Sequence, residues 1–157
     1  MKKEILIFLF GFFSCLFIVF SFSTLEVPRI TGLNVVNVDE VSPSDWVSLE
    51  NIIVLEDRII LKIENASVSS YASTGSMRPF FDNGANGIRI KPEGEGEINV
   101  GDIVSYRSFG QLVVHRVFYK GVDSGGVYFI VKGDNNDFPD KKIRFEDVEW
   151  VTVGVIY

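Results

Sequence analysis

The chain has 157 residues, a formal net charge of -6, 46% hydrophobic residues and a single cysteine. An acidic chain without a basic tract lacks the electrostatic footprint of a nucleic-acid binder. With Cys15 as its only cysteine, it has neither a disulfide framework nor a cysteine metal site, so an outer domain must hold together by packing.

In chain order, Met1-Lys2-Lys3-Glu4 precedes a run from Ile5 to Phe22 that contains no charge and no proline. At about 1.5 Å of rise per residue the run reaches roughly 27 Å as a helix, enough for the hydrocarbon layer of a bilayer. Its length favours a retained single-pass anchor over 5–22 rather than a cleaved signal, although Ser21-Phe22-Ser23 offers a small-x-small exit. Lys2 and Lys3 put the N-terminus on the cytoplasmic side and the remainder outside it. The expected localisation is therefore the cell membrane, with the lipid bilayer as a partner.

Residues 26–70 form an extension before the main domain, 71–157. Ser44-Asp45-Trp46 fits one capped helical turn. Ile52 to Leu55 and Ile59 to Leu61 are β-branched runs around Glu56-Asp57-Arg58, which predicts a hairpin. Val68 to Thr74 continues as an extended segment into Ser76. Ile88 to Lys91, Ile103 to Tyr106, Gln111 to Tyr119, Val127 to Lys132 and Val148 to Ile156 read as further strands, with Gly121 to Gly126 as a loop. The expected fold is all-β, with seven to nine strands.

The stretch YASTGSMRPFF, Tyr71 to Phe81, carries the first chemical signal. Ser76 sits between Gly75 and Met77 on a backbone that an extended peptide can approach. A neutral hydroxyl is a poor nucleophile and needs a base. His115 is the only histidine, placed in the strand VVHRVF, where alternation puts it on the face opposite Arg116. Arg116 is expected to face solvent or to pair with an acid. Lys132 is a rival base, since a desolvated lysine can do the same work. The run Lys132-Gly133-Asp134-Asn135-Asn136-Asp137-Phe138-Pro139-Asp140 lacks the glycine and distal glutamate of a calcium loop; no metal or cofactor is expected. Either Asp134 or Asp140 can supply the carboxylate that orients an imidazole. Met77, Phe80 and Phe81 are candidates for the core or for an apolar rim.

Ser76-Met77 with Pro79, Gly101-Asp102-Ile103-Val104, His115-Arg116-Val117 and Lys132-Gly133-Asp134-Asn135-Asn136 together resemble, in order, the motifs of type I signal peptidases. A histidine in place of the bacterial lysine resembles the archaeal and endoplasmic-reticulum branch. The resemblance implies a signal-peptidase-like β-fold, a complex of small antiparallel sheets or a partly open barrel, behind one N-terminal transmembrane helix. It implies a serine endopeptidase that acts on signal peptides of exported proteins, bound extended beside an Ala72–Ser76 strand. By the same resemblance Ser76 is the nucleophile, His115 the general base, Asp140 the carboxylate on the histidine and Asp134 a supporting acid. Thr74 resembles the hydroxyl residue that completes the oxyanion hole. The serine lies further from the apolar run than in that family, so a narrow substrate set is one alternative. A non-catalytic β-domain that binds surface proteins is another.

Overall fold

Valine, isoleucine and aromatic residues fill the runs that become strands, because branched and planar side chains pack well on a pleated, half-buried surface. The computed structural model describes residues 41–157, which belong to one compact unit, Asp39–Tyr157. Eight strands are present among the described residues: β1 Ile52–Val54, β2 Ile59–Leu61, β3 Ser67–Ser70, β4 Asn86–Ile90, β5 Ile103–Ser108, β6 Gln111–Asp123, β7 Gly126–Lys132 and β8 Val148–Ile156. Among the described residues helix is limited to two short 3-10 turns, Leu49–Asn51 and Phe145–Asp147, and the described part is mainly β-sheet. The predicted anchor over 5–22 lies outside the described residues, and among those residues no helix is long and apolar enough to cross a membrane.

β1 and β2 pair as the predicted hairpin and make a two-stranded sheet of their own; the other six form an antiparallel sheet in the order β3-β4-β8-β5-β6-β7. Two irregularities in this sheet matter for the site. β3 is an edge strand. β7 meets β6 only from Arg116 onward, so Gln111–His115 pairs with β5 on one side and leaves its other edge open.

Three local expectations are corrected. Ser44-Asp45-Trp46 is not helical. The Ser44 amide (2.7 Å) and the Trp46 indole (3.1 Å) instead donate to the fully buried Asp102 carboxylate, and the helical turn comes later, at Leu49–Asn51. Gly121 to Gly126 is not a loop, because β6 continues to Asp123 in register with Gly126. Ala72–Ser76 is not a strand either: β3 stops at Ser70, and the Thr74 amide turns back to the Ala72 carbonyl at 2.9 Å.

The core has two parts. Ile98, Val104, Tyr106, Val117, Phe129, Val131, Ile143 and Val151 make the larger. Tyr71, Met77, Phe81, Ala85 and Ile103 make a second cluster under the Ser76 loop, with the Tyr71 and Phe81 rings stacked at 4.0 Å. Met77 and Phe81 are core residues, whereas Phe80 is 41% exposed. Burying Met77 and Phe81 contributes about 1.5–3 kcal/mol each, so the serine loop is pinned from below by apolar packing on both sides of its turn.

Candidate active site

Ser76 opens a turn that runs to Phe80. Gly75, just before it, has φ +72°, a left-handed conformation that favours glycine. The carbonyls on either side of this corner are held by one residue: the Asn135 amide donates to the Ser76 carbonyl at 2.8 Å and its side chain donates to the Gly75 carbonyl at 3.1 Å. Gly133 lies so near that a Cβ there would sit 2.7 Å from the Ser76 carbonyl oxygen. The 133–136 loop therefore braces the serine by backbone contact. Asp82 closes the other flank, accepting from Arg78 Nε at 2.6 Å and from the Gly75 amide at 3.2 Å. Burial opposes ionisation of Asp82, but the Arg78 and backbone hydrogen bonds outweigh it and hold the carboxyl below its ordinary range.

Thr74 Oγ1 stands 3.1 Å from Ser76 Oγ and 3.4 Å from the Ser76 amide nitrogen. Thr74 Oγ1 thus accepts from the Ser76 amide and hydrogen-bonds the Ser76 hydroxyl.

β6 carries His115, which is buried. Its Nδ1 bonds Asp140 Oδ2, and the Tyr106 hydroxyl donates to the same carboxylate oxygen at 2.7 Å. A carboxylate accepts only, so Nδ1 holds the ring proton and Nε2 presents its lone pair. Asp140 is itself fixed by its amide, which donates to the Val131 carbonyl at 2.8 Å. Burial first, then the hydrogen bond and negative charge of Asp140, push the Tyr106 phenol well above its ordinary range. It is therefore a permanent donor at physiological pH.

Asp134 does not touch His115. It forms a bidentate pair with Arg116 at 2.9 and 2.7 Å, with 2% of its side chain exposed. Arg116 also donates to the Gly101 carbonyl at 2.9 Å. Consecutive residues of β6 point to opposite faces, so His115 and Arg116 serve separate carboxylates. Lys132 is directly opposite Arg116 in register, which puts its side chain on Arg116's face and away from the imidazole.

Ser76, Thr74 and His115 line a single cleft of about 410 Å³. Ser69 to Ala72 form one wall and Gln111 to Val114 the other. Residues at both open edges of the sheet thus line it. The Ser76 hydroxyl bonds Thr74 rather than His115 in this structure. Such bonds are often unmade until substrate arrives. Among the described residues no cluster of histidine, cysteine or acidic side chains is placed to hold a metal ion.

Three residues of the site escaped the sequence reading. Tyr106 and Arg89, which lines the same cleft, enter the sequence analysis only as parts of strands, and Asn135 only as part of a motif. The signal for Tyr106 is weak but physical, since a buried tyrosine needs a partner for its hydroxyl.

No family model and no solved structure matches the chain. Over 81 residues it is 33% identical to the signal peptidase complex catalytic subunit SEC11C of Homo sapiens, of Mus musculus and of Canis lupus familiaris. The match covers 50% of this chain and 42% of each relative. The chain is therefore similar, over half its length, to the catalytic subunit of a signal peptidase.

Proposed function

We propose that this protein is a membrane-anchored serine endopeptidase that removes signal peptides from exported proteins on the outer side of the cytoplasmic membrane. The observation that carries this reading is the convergence of Ser76 and His115 on one cleft, with Asp140 on the far nitrogen of the imidazole. The similarity to a signal peptidase catalytic subunit supports the substrate class. A non-catalytic binder has no need for a hydroxyl and an oriented imidazole in a shared groove.

In this mechanism the substrate lies extended in the cleft and pairs with the open edges at Ser69–Ala72 and Gln111–His115. The Ser76 hydroxyl rotates from Thr74 to His115 Nε2, gives up its proton and attacks the scissile carbonyl. His115 becomes an imidazolium stabilised by Asp140, then protonates the leaving amine. A water deprotonated by the same imidazole releases the acyl group from Ser76. The Ser76 amide and the Thr74 hydroxyl stabilise the oxyanion, a contribution of about 10²–10³ in rate per donor.

Ser76→Ala, with its circular dichroism unchanged, is expected to abolish cleavage of a signal-peptide substrate by the detergent-solubilised protein. His115→Ala should lose nearly as much, because members of such a unit do not contribute additively. Cleavage that persists in Ser76→Ala removes the serine from the mechanism.

A further inference from the structure

The charges lining the cleft are unequally satisfied. Asp82 is neutralised by Arg78, and His115 is held by Asp140. The side chain of Arg89, on β4, makes no hydrogen bond or salt bridge to the described residues, and its Nε is buried without an acceptor. Its guanidinium lies over the Trp150 ring at 4.5 Å. A guanidinium held by its face against an indole keeps its N–H groups in plane and free to meet a planar anion at two points. Burying a polar donor without a partner is costly, so the arrangement is completed by a ligand that brings its own acceptor.

We propose that Arg89 selects substrates carrying a carboxylate side chain at one position near the bond that is cut; this deepens the peptidase reading and rests on it. Arg89 lines the same cleft as Ser76 and His115, so a peptide lying in that cleft can set one of its side chains against the guanidinium. A glutamate or aspartate at that position gains a bidentate, charge-assisted pair in a partly desolvated groove. Glutamine offers one acceptor and no charge.

The test uses the full chain carrying Ser76→Ala in detergent micelles, with dye-labelled unstructured peptides spanning a signal-peptide cleavage site. Glutamate is moved one position at a time on both sides of the scissile bond, each peptide is compared with its glutamine counterpart, and affinity is read by fluorescence anisotropy. Roughly tenfold tighter binding of glutamate is expected at one position or an adjacent pair. That preference should vanish in Arg89→Gln, persist in part in Arg89→Lys, and invert toward lysine peptides in Arg89→Glu. Equal affinities at every position overturn the proposal, as does a preference that survives Arg89→Gln. Cleavage of the glutamine peptides by the Ser76 protein is followed in parallel. An Arg89-dependent preference without any cleavage sinks the peptidase reading alone, whereas cleavage without the preference sinks only the role of Arg89.

Discussion

At the scale of single residues, the geometry divides two of the three aspartates of the 132–140 run between different tasks. Asp140 meets His115 and Tyr106, while Asp134 meets Arg116. Asp140→Asn is expected to lower kcat by about 10⁴ with little change in KM, because an amide no longer selects the Nδ1–H tautomer. A loss smaller than about tenfold in steady-state kinetics, with the fold intact, would take Asp140 out of the proton relay. The histidine was legible because the sequence has one, and the serine and aspartates through the order of the motifs around them. Which acid served which base was not legible from alternation, because that is decided by where an irregular loop returns. The Tyr106 hydroxyl was equally hidden, as strand propensity explains a tyrosine without reference to its oxygen.

At the scale of elements, the loop that braces Ser76 is held to β6 by the buried Arg116–Asp134 pair. Removing one partner of a buried, bidentate pair typically costs about 3–5 kcal/mol. Asp134→Ala is therefore expected to lower the chemical-denaturation midpoint strongly and to reduce activity through the loop rather than through the imidazole. A midpoint within experimental error of the parent protein would contradict this. The strands themselves were readable from alternation and β-branched runs, and the β1–β2 hairpin from the charged triplet between two apolar runs. The length of β6 was not, because Gly121 reads as a breaker although it is accommodated in mid-strand against Tyr128. The irregular course of Ala72–Gly75 was also missed, since it is dictated by the Gly75 turn and by Asn135, which lies far away in sequence.

At the scale of the whole molecule, buried phenols and paired carboxylates set a window of stability. Burial raises the Tyr71 and Tyr106 hydroxyls above the ordinary value of 10.0. The folded state thus keeps protons that the unfolded chain has lost, and stability that is complete below about pH 10 falls as the pH rises further. Hydrogen bonds from Lys142 and Arg144 lower Asp123, and those from Arg78 and Gly75 lower Asp82 against burial, both from 3.8. Their contribution is present above that value and is lost as the pH falls below it. Thermal unfolding followed by circular dichroism should show a plateau between these limits, with a shallower alkaline decline in Tyr106→Phe. An alkaline slope identical in the two proteins would count against the Tyr106 contribution.

The open edges of β3 and of the first half of β6, both lining the cleft, carry one more consequence. A chain that docks between them can be recognised through its peptide groups only if those groups are not already engaged with one another. Coiled or folded stretches are refused at the threshold whatever side chains they display. Under the proposed peptidase reading, discrimination by shape of the main chain thus comes before discrimination by sequence, and a polypeptide is cut only where it is locally unravelled.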